Sequence, residues 1–426
     1  MDDRTRADPR LSVNVGVATP STTDFLVVGG GILALTLALE LKRRHGYCSV
    51  TLLEKERACG LHASGRNSGV LHAGFYYTAD TLKARLTREG NRRLAAYCVE
   101  RSLPLDRCGK LVVARDASDL PGLEELERRG RANGVPLEVL SVDDVRRLEP
   151  RARTYERALF SPTTTTVHPA AVVASLVADA RAAGIAILTG VAYRGRGRGA
   201  GAVVTSAGTI ATGYLLNAAG VYADRVARDY GFSERYRILP FRGRYLVAEP
   251  GAPDVRTHVY SVPALANPFL GVHVTRGVSG GVKIGPTAAP ALWREQYDGW
   301  RNFRLDECLT IAAQELGMLW RDDFGFRGLA LAELRAYGRR GLVRRAAALV
   351  DGVRPAAFRR WGPTGIRAQL FDVRERRLEM DFRYEGDDRS FHVLNAVSPA
   401  FTCALPLAAY LVDRIAERLH SAWAAA

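Results

Sequence analysis

At 426 residues the chain is longer than one hydrophobic core comfortably serves, so two domains sharing an interface are expected. An apolar fraction of 47% and a charged fraction of 25% are ordinary for a soluble globular protein and exclude large-scale disorder. The net charge of +15 rests on 60 basic residues, of which only Lys42, Lys55, Lys83, Lys110 and Lys283 are lysines; the arginines are dispersed, and the dense stretch Arg335 to Arg345 holds no aromatic platform beyond Tyr337, which argues against nucleic acid as a partner.

The first 22 residues are polar, carry Pro9 and Pro20 and lack an apolar run, and are expected to form a disordered leader rather than a signal peptide. Phe25-Leu26-Val27-Val28 then predicts a buried strand that enters a tight turn at Gly29-Gly30-Gly31. A helix over Ile32 to Arg44 and a strand over Ser49 to Glu54 complete a βαβ unit of a parallel sheet. Amphipathic helix and a strand at Leu111-Val112-Val113-Ala114 fill Thr81 to Leu148, and α/β alternation returns from the helix Ala170 to Ala183 through Tyr214 to Gly220. The RGRGRGAG patch over Arg194 to Gly201 is expected to be a flexible turn. Period-two alternation at Arg244 to Val247 and Leu270 to Val274 predicts an antiparallel sheet. Helices follow over Asp306 to Leu349, then a strand at Phe391 to Leu394 and a last helix ending near Leu419.

Gly29-x-Gly31-x-x-Ala34 sits between strand and helix, the setting in which such a motif binds a dinucleotide. The first glycine permits the turn, the second lets backbone N–H groups approach a pyrophosphate, and the small third residue lets the helix pack on the sheet. The helix N-terminus at Ile32 turns its partial positive charge to the phosphates. Glu54 ends the next strand, where a carboxylate accepts from ribose hydroxyls, and Lys55 follows it. The motif does not separate FAD from NAD, although Glu54 argues against NADP. Six cysteines at 48, 59, 98, 108, 308 and 403 form no C-x-x-C pair, so neither a metal site nor a disulfide framework is expected, and a reducing cytoplasm fits. No run has the length of a membrane span.

The segment Gly65-Arg66-Asn67-Ser68-Gly69-Val70-Leu71-His72-Ala73-Gly74-Phe75-Tyr76-Tyr77 closely resembles the L-2-hydroxyglutarate dehydrogenase/oxidase family, within the D-amino-acid-oxidase-like flavoproteins. Cys108-Gly109-Lys110, Pro240-Phe241-Arg242-Gly243, Phe269 to Arg276, Gly285-Pro286, Gly365-Ile366-Arg367-Ala368-Gln369 and Asn395 to Ala400 match it in order. The chain departs from the pattern at Thr163 to His168, at Asp372 to Arg377 and across Met318 to Arg360. The resemblance implies an α/β fold: a Rossmann-like FAD-binding domain beside a second α+β substrate domain built on an antiparallel sheet. We expect residues 23–82, 149–235 and 360–420 in the first and 83–148 and 236–359 in the second. It also implies oxidation of a 2-hydroxy acid to a 2-oxo acid, with electrons passing to oxygen, a quinone or another carrier. Arg66, Asn67 and Ser68 would then border the FAD, with Val191, Ala219 and Gly220 as further contacts. Small residues at Ser398-Pro399-Ala400 would bring the last helix N-terminus to the flavin; an N-cap Ser followed by Pro at the helix start fits equally.

Such an oxidation requires a carboxylate clamp and a base. Arginine's planar fork suits the clamp, and Arg242, Arg276 and Arg367 are the candidates within matching segments. His72 is the first choice for the base, with a purely shaping role as its alternative. His273 is second; lying three residues before Arg276, it points to the opposite face of an ideal strand. Tyr76 and Tyr77 either donate to the substrate or pack. The competing readings are an amino-acid or amine oxidase of the same fold, a hydroxy acid tethered to a carrier protein, and a flavin-binding or basic interaction protein without turnover. The positive charge leaves an acidic carrier or an anionic membrane surface as a further partner, in the latter case with peripheral location.

Overall fold

The computed structural model describes residues 19–263, 271–328, 330–331 and 338–424, without side chains from 420 onward. Most of the expected leader, Phe269-Leu270 of the matching segments, and Arg335 to Tyr337 lie outside the described residues.

The apolar run near the chain start forms the strand Thr22–Val28 at the centre of an eight-stranded sheet. It runs parallel to Val50–Glu54 on one side and to Gly208–Asn217 on the other, with Phe25 opposite both Val50 and Tyr214. Ala186–Thr189 extends the sheet beyond Val50–Glu54, and Ser390–Asn395 pairs with the end of Gly208–Asn217, both parallel. Of the patch expected to be a turn, Arg194 to Arg196 belong to the edge strand Tyr193–Arg196. The remainder connects it to the antiparallel strand Ala202–Thr205, which pairs on its other side with Gly208–Asn217. Apolar side chains on both faces explain the near-continuous hydrophobic strands. One face carries the helices Ile32–Arg44, Pro169–Ala182 and Ala400–Ala424 over a core including Leu35, Leu37, Val172, Leu407 and Leu411.

Two small contacts bring these helices close. The Thr36 hydroxyl donates to the Ala404 carbonyl at 3.1 Å. On the helix Leu82–Glu100, a side chain at Gly90 would meet the Thr402 carbonyl oxygen at 2.4 Å, so only glycine permits that crossing.

The second eight-stranded sheet runs Arg360–Trp361, Leu246–Val247, Val282–Gly285, His273–Arg276, His258–Ser261, Lys110–Val113, Arg157–Ser161, Glu138–Ser141. It is antiparallel throughout except where His258–Ser261 runs parallel to Lys110–Val113. A separate ladder pairs Tyr236–Gly243 with Gly365–Asp372 over eight residues in unbroken register. The threonine run departing from the family pattern is the short strand Thr165–Val167, between Val70–Leu71 and Leu105–Asp106.

Candidate active site

A single cavity of about 1260 Å³ opens from the glycine turn. Pockets for one small molecule span roughly 300–1000 Å³, so this one accommodates a dinucleotide and a substrate together. Every cofactor candidate named above lines it: Gly29, Gly31, Ile32, Ala34, Glu54, Lys55, Arg66, Asn67, Ser68, Val191, Ala219, Gly220, Ser398, Pro399 and Ala400. Four of the six catalytic candidates join them, namely His72, Tyr76, His273 and Arg367.

The turn is built by backbone geometry. Gly29 has φ +119°, and a Cβ there would sit 2.5 Å from the Ala218 carbonyl oxygen. Gly30 N–H donates to Glu54 Oε2 at 2.9 Å and Glu56 N–H to Oε1 at 2.8 Å, so Glu54 ties the turn to the end of the second strand. Burial raises its pKa above the ordinary carboxylate value, against those backbone donors. The first helix has no acidic residue in its first turn, and Ile32 N–H receives a stand-in acceptor, Ser64 Oγ, at 2.9 Å. A glycine cradle and an N-terminus whose local acceptor is one neutral hydroxyl fit the pyrophosphate of FAD.

The Arg66–Ser68 stretch is shaped by its own polar groups. Asn67 Nδ2 donates to the Ser64 carbonyl at 2.8 Å, and Oδ1 accepts Gly69 N–H at 2.8 Å. Arg66 lies over the Tyr297 ring at 4.6 Å and donates to the Leu61 carbonyl at 2.8 Å. Ser68 offers its carbonyl to Lys283 Nζ at 2.7 Å. His72 follows, its N–H on Thr402 Oγ1 at 3.2 Å, and its ring makes no hydrogen bond among the described residues. Burial, then the Lys110 charge, lower its pKa to about 3, so the imidazole is neutral with a free lone pair.

His273 lies flat against Tyr260, ring centroids 3.6 Å apart, with Nδ1 buried and unpartnered; burial also holds its pKa well below the ordinary value. Arg367 has Nη1 buried without an acceptor. Both residues line the cavity, and each keeps one buried polar atom without a partner among the described residues.

Two candidates are elsewhere. Arg276 does not line the cavity: its Nε donates to Asp106 at 2.8 Å and its Nη1 to the Val255 carbonyl at 2.7 Å, with Asp254 at 3.3 Å. Strand alternation turns it away from His273, so it is a structural ion pair. Arg242 is half-buried and absent from the lining, although Gly243 beside it contributes.

Sequence reasoning did not single out three lysines that stand at this cavity. Lys83 lines the cavity, Lys283 braces Ser68, and Lys110 lies 4.3 Å from the centroid of Tyr76 and 5.0 Å from that of Tyr260. Burial lowers them to about 8, 8 and 7 respectively. Their scarcity was the available signal.

His258, behind this wall, is structural. Its Nδ1 accepts Arg276 N–H at 3.1 Å, which assigns the proton to Nε2, donated to Thr166 Oγ1 at 2.8 Å and facing Cys108 Sγ at 3.4 Å. In that tautomer it takes no proton from the thiol. Glu56, His62 and Glu295 form a tight cluster, but Lys55 Nζ lies 2.5 Å from Glu56 and 2.6 Å from Glu295 and supplies the cation.

The family described as FAD dependent oxidoreductase matches residues 24–414. The chain is 35% identical to a mitochondrial L-2-hydroxyglutarate dehydrogenase of Nematostella vectensis, covering 93% of this chain and 91% of that one. It is 32% identical to an L-2-hydroxyglutarate dehydrogenase of Escherichia coli strain K12, covering 93% and 94%. Solved structures with this fold include an L-alpha-glycerophosphate oxidase from Mycoplasma pneumoniae with FAD bound, at TM-score 0.71, 21% identity and coverage of 92% and 94%. A glycine oxidase from Geobacillus kaustophilus matches at TM-score 0.71, 20% identity and coverage of 93% and 95%. Among the described residues, no helix is long and apolar enough to cross a membrane.

Proposed function

The chain belongs to the FAD dependent oxidoreductase family, and from that premise we propose that it oxidises a small L-2-hydroxy acid of the L-2-hydroxyglutarate kind to the 2-oxo acid. The observation carrying this reading is the continuity of one cavity from the Gly29–Gly31 turn to His72, His273 and Arg367. The names of the curated relatives favour the hydroxy acid over the amino acid or amine.

Gly29, Gly31 and the helix start at Ile32 would hold the pyrophosphate, and Glu54 the ribose. When bound, FAD supplies the two-electron acceptor for the hydride leaving the substrate's Cα. Arg367, in the cavity lining, offers its guanidinium to the C1 carboxylate. His72, neutral and without a hydrogen bond to its ring, takes the hydroxyl proton on a ring nitrogen. A carboxylate held nearby raises its proton affinity and favours the imidazolium as it forms. Tyr76, Tyr260 and His273 wall this end and keep water from the reacting carbon. Turnover also requires an electron acceptor: oxygen, a quinone or another carrier.

The test is anaerobic mixing of the purified yellow protein with a panel of 2-hydroxy and 2-amino acids. Bleaching by L-2-hydroxyglutarate is expected. Bleaching by amino acids alone would reassign the chain to amine chemistry, and bleaching only by an acid tethered to a carrier protein would change the substrate's form. Readmitting oxygen or a quinone afterwards identifies the acceptor.

A further inference from the structure

Only five of the 60 basic residues are lysines, yet four of the five stand at this cavity. Lys55 and Lys83 line it, Lys283 bonds the lining residue Ser68, and Lys110 packs against the lining rings of Tyr76 and Tyr260. A lysine supplies a compact ammonium where an arginine would supply a planar fork, so these four positions differ in kind from the chain's many arginines.

Two of the four have partners of their own: Lys55 is held by Glu56 and Glu295, and Lys283 by the Ser68 carbonyl. Lys83 differs. It is 4% exposed, and among the described residues its ammonium has neither a hydrogen-bond acceptor nor an ion pair. Among the described residues its ammonium lies over the rings of Tyr77 at 5.8 Å and Phe382 at 5.7 Å. The carboxylate acting on it from a distance, Asp381, is occupied with the backbone N–H groups of Leu82, Lys83 and Phe382 at 2.7, 3.0 and 2.8 Å. Burial lowers its pKa to about 8, as expected of an ammonium short of counter-charge.

Arg367, on a different element, is likewise short of an acceptor. Two under-satisfied cations facing one cavity match two anionic groups on one ligand. We propose that Lys83 is the specificity-determining residue for the far end of the substrate, selecting 2-hydroxy acids that carry a second carboxylate while Arg367 holds the first. This rests on the hydroxy-acid reading above. Lys110, caged by Phe75, Tyr76 and Tyr260 behind the wall, adds to the positive field without lining the cavity.

The experiment uses FAD-loaded wild type, Lys83→Met and Lys83→Arg. Glutarate, which lacks the reacting hydroxyl, is titrated against the flavin absorbance. Anaerobic bleaching rates are compared for L-2-hydroxyglutarate and L-2-hydroxyvalerate, acids of equal chain length with and without the second carboxylate. In Lys83→Met, glutarate should bind roughly 10- to 100-fold more weakly, and the preference for hydroxyglutarate should fall by a similar factor. Lys83→Arg should recover part of both. A preference in Lys83→Met within about two-fold of wild type would overturn the assignment. Wild-type flavin bleached by neither acid would instead overturn the function reading, and this inference with it.

Discussion

The imidazole of His273 is stacked on the phenol of Tyr260, with planes 5° from parallel and centroids 3.6 Å apart. That contact fixes a neutral ring with one unpartnered nitrogen in the cavity wall. His72, by contrast, has no ring partner among the described residues. The two histidines therefore divide into one held and one free, which favours His72 as the group that moves a proton and His273 as the group that orients.

Replacing His72 with Gln should slow anaerobic bleaching by roughly 100- to 10,000-fold, the usual range for a lost general base. Flavin content should be retained, since the backbone bond from His72 N–H to Thr402 survives the change. Stopped-flow reduction beside the visible spectrum of the same sample checks both; unaltered reduction with normal flavin content would return His72 to a shaping role.

Arg276→Ala should leave substrate affinity where it is and reduce stability by up to about 1 kcal/mol, the ordinary value of a partly exposed ion pair. Its partners are Asp106 and Asp254, not a ligand. A urea midpoint and a substrate titration separate the effects, and a large loss of affinity with normal stability would place Arg276 back at the substrate.

Gly29→Ala places a methyl group 2.5 Å from the Ala218 carbonyl at a φ that alanine resists. The expected product is a protein purified with little or no yellow colour that gains less when FAD is added, with a strain cost on the order of 1–3 kcal/mol. Flavin fluorescence after denaturation gives the stoichiometry. Wild-type flavin content would show that the turn does not contact the cofactor.

Stability should climb as the solution becomes less acidic. Burial depresses His72 and His258 to about 3 and His392 to about 4, from an ordinary 6.5, and holds His273 well below that ordinary value. A depressed pKa means the unfolded chain binds the proton first, so this stabilisation is present above 6.5 and is lost as pH falls toward 3. Each such histidine changes stability by about 1.4 kcal/mol per pH unit within that window. Lys83, Lys110 and Lys283 act with the same sign between about 7 or 8 and 10.5. Glu315, raised by burial to about 7, opposes the histidines between 4.5 and 7. Thermal unfolding followed by circular dichroism should show a midpoint rising from about pH 4 to about pH 9. A maximum near pH 5 would contradict the four buried neutral imidazoles.

Much of the cofactor end was legible because it depends on local signals. An apolar run, three glycines, a helix and a terminal acid each carry their reason within a few residues, and the structure gathers them around one cavity. Strand alternation also foresaw that His273 and Arg276 would part. Which arginine faces the substrate was not legible from composition, since 55 of them compete and the choice turns on distant partners such as Asp106. Long-range pairing hid some of the assembly as well. The helix Leu82–Glu100, assigned from sequence to the substrate unit, packs on the first and last helices through Leu94, Ala95 and Cys98. The strand Arg157–Ser161, assigned to the cofactor unit, pairs with Lys110–Val113 in the second sheet. Lys83 was visible as a rarity, but its lack of a partner exists only once Asp381 has been folded onto the backbone beside it.

The hydrogen bond between His72 and Thr402 spans 330 positions. During synthesis, the glycine turn and His72 emerge long before the threonine that accepts the His72 N–H has been added. The same final segment supplies Ser398 to Ala400 of the cavity wall and the helix packed on Ile32–Arg44. A nascent or C-terminally clipped chain would therefore lack a finished coenzyme site as well as a steadied His72, and competence would arrive only with the last segment off the ribosome.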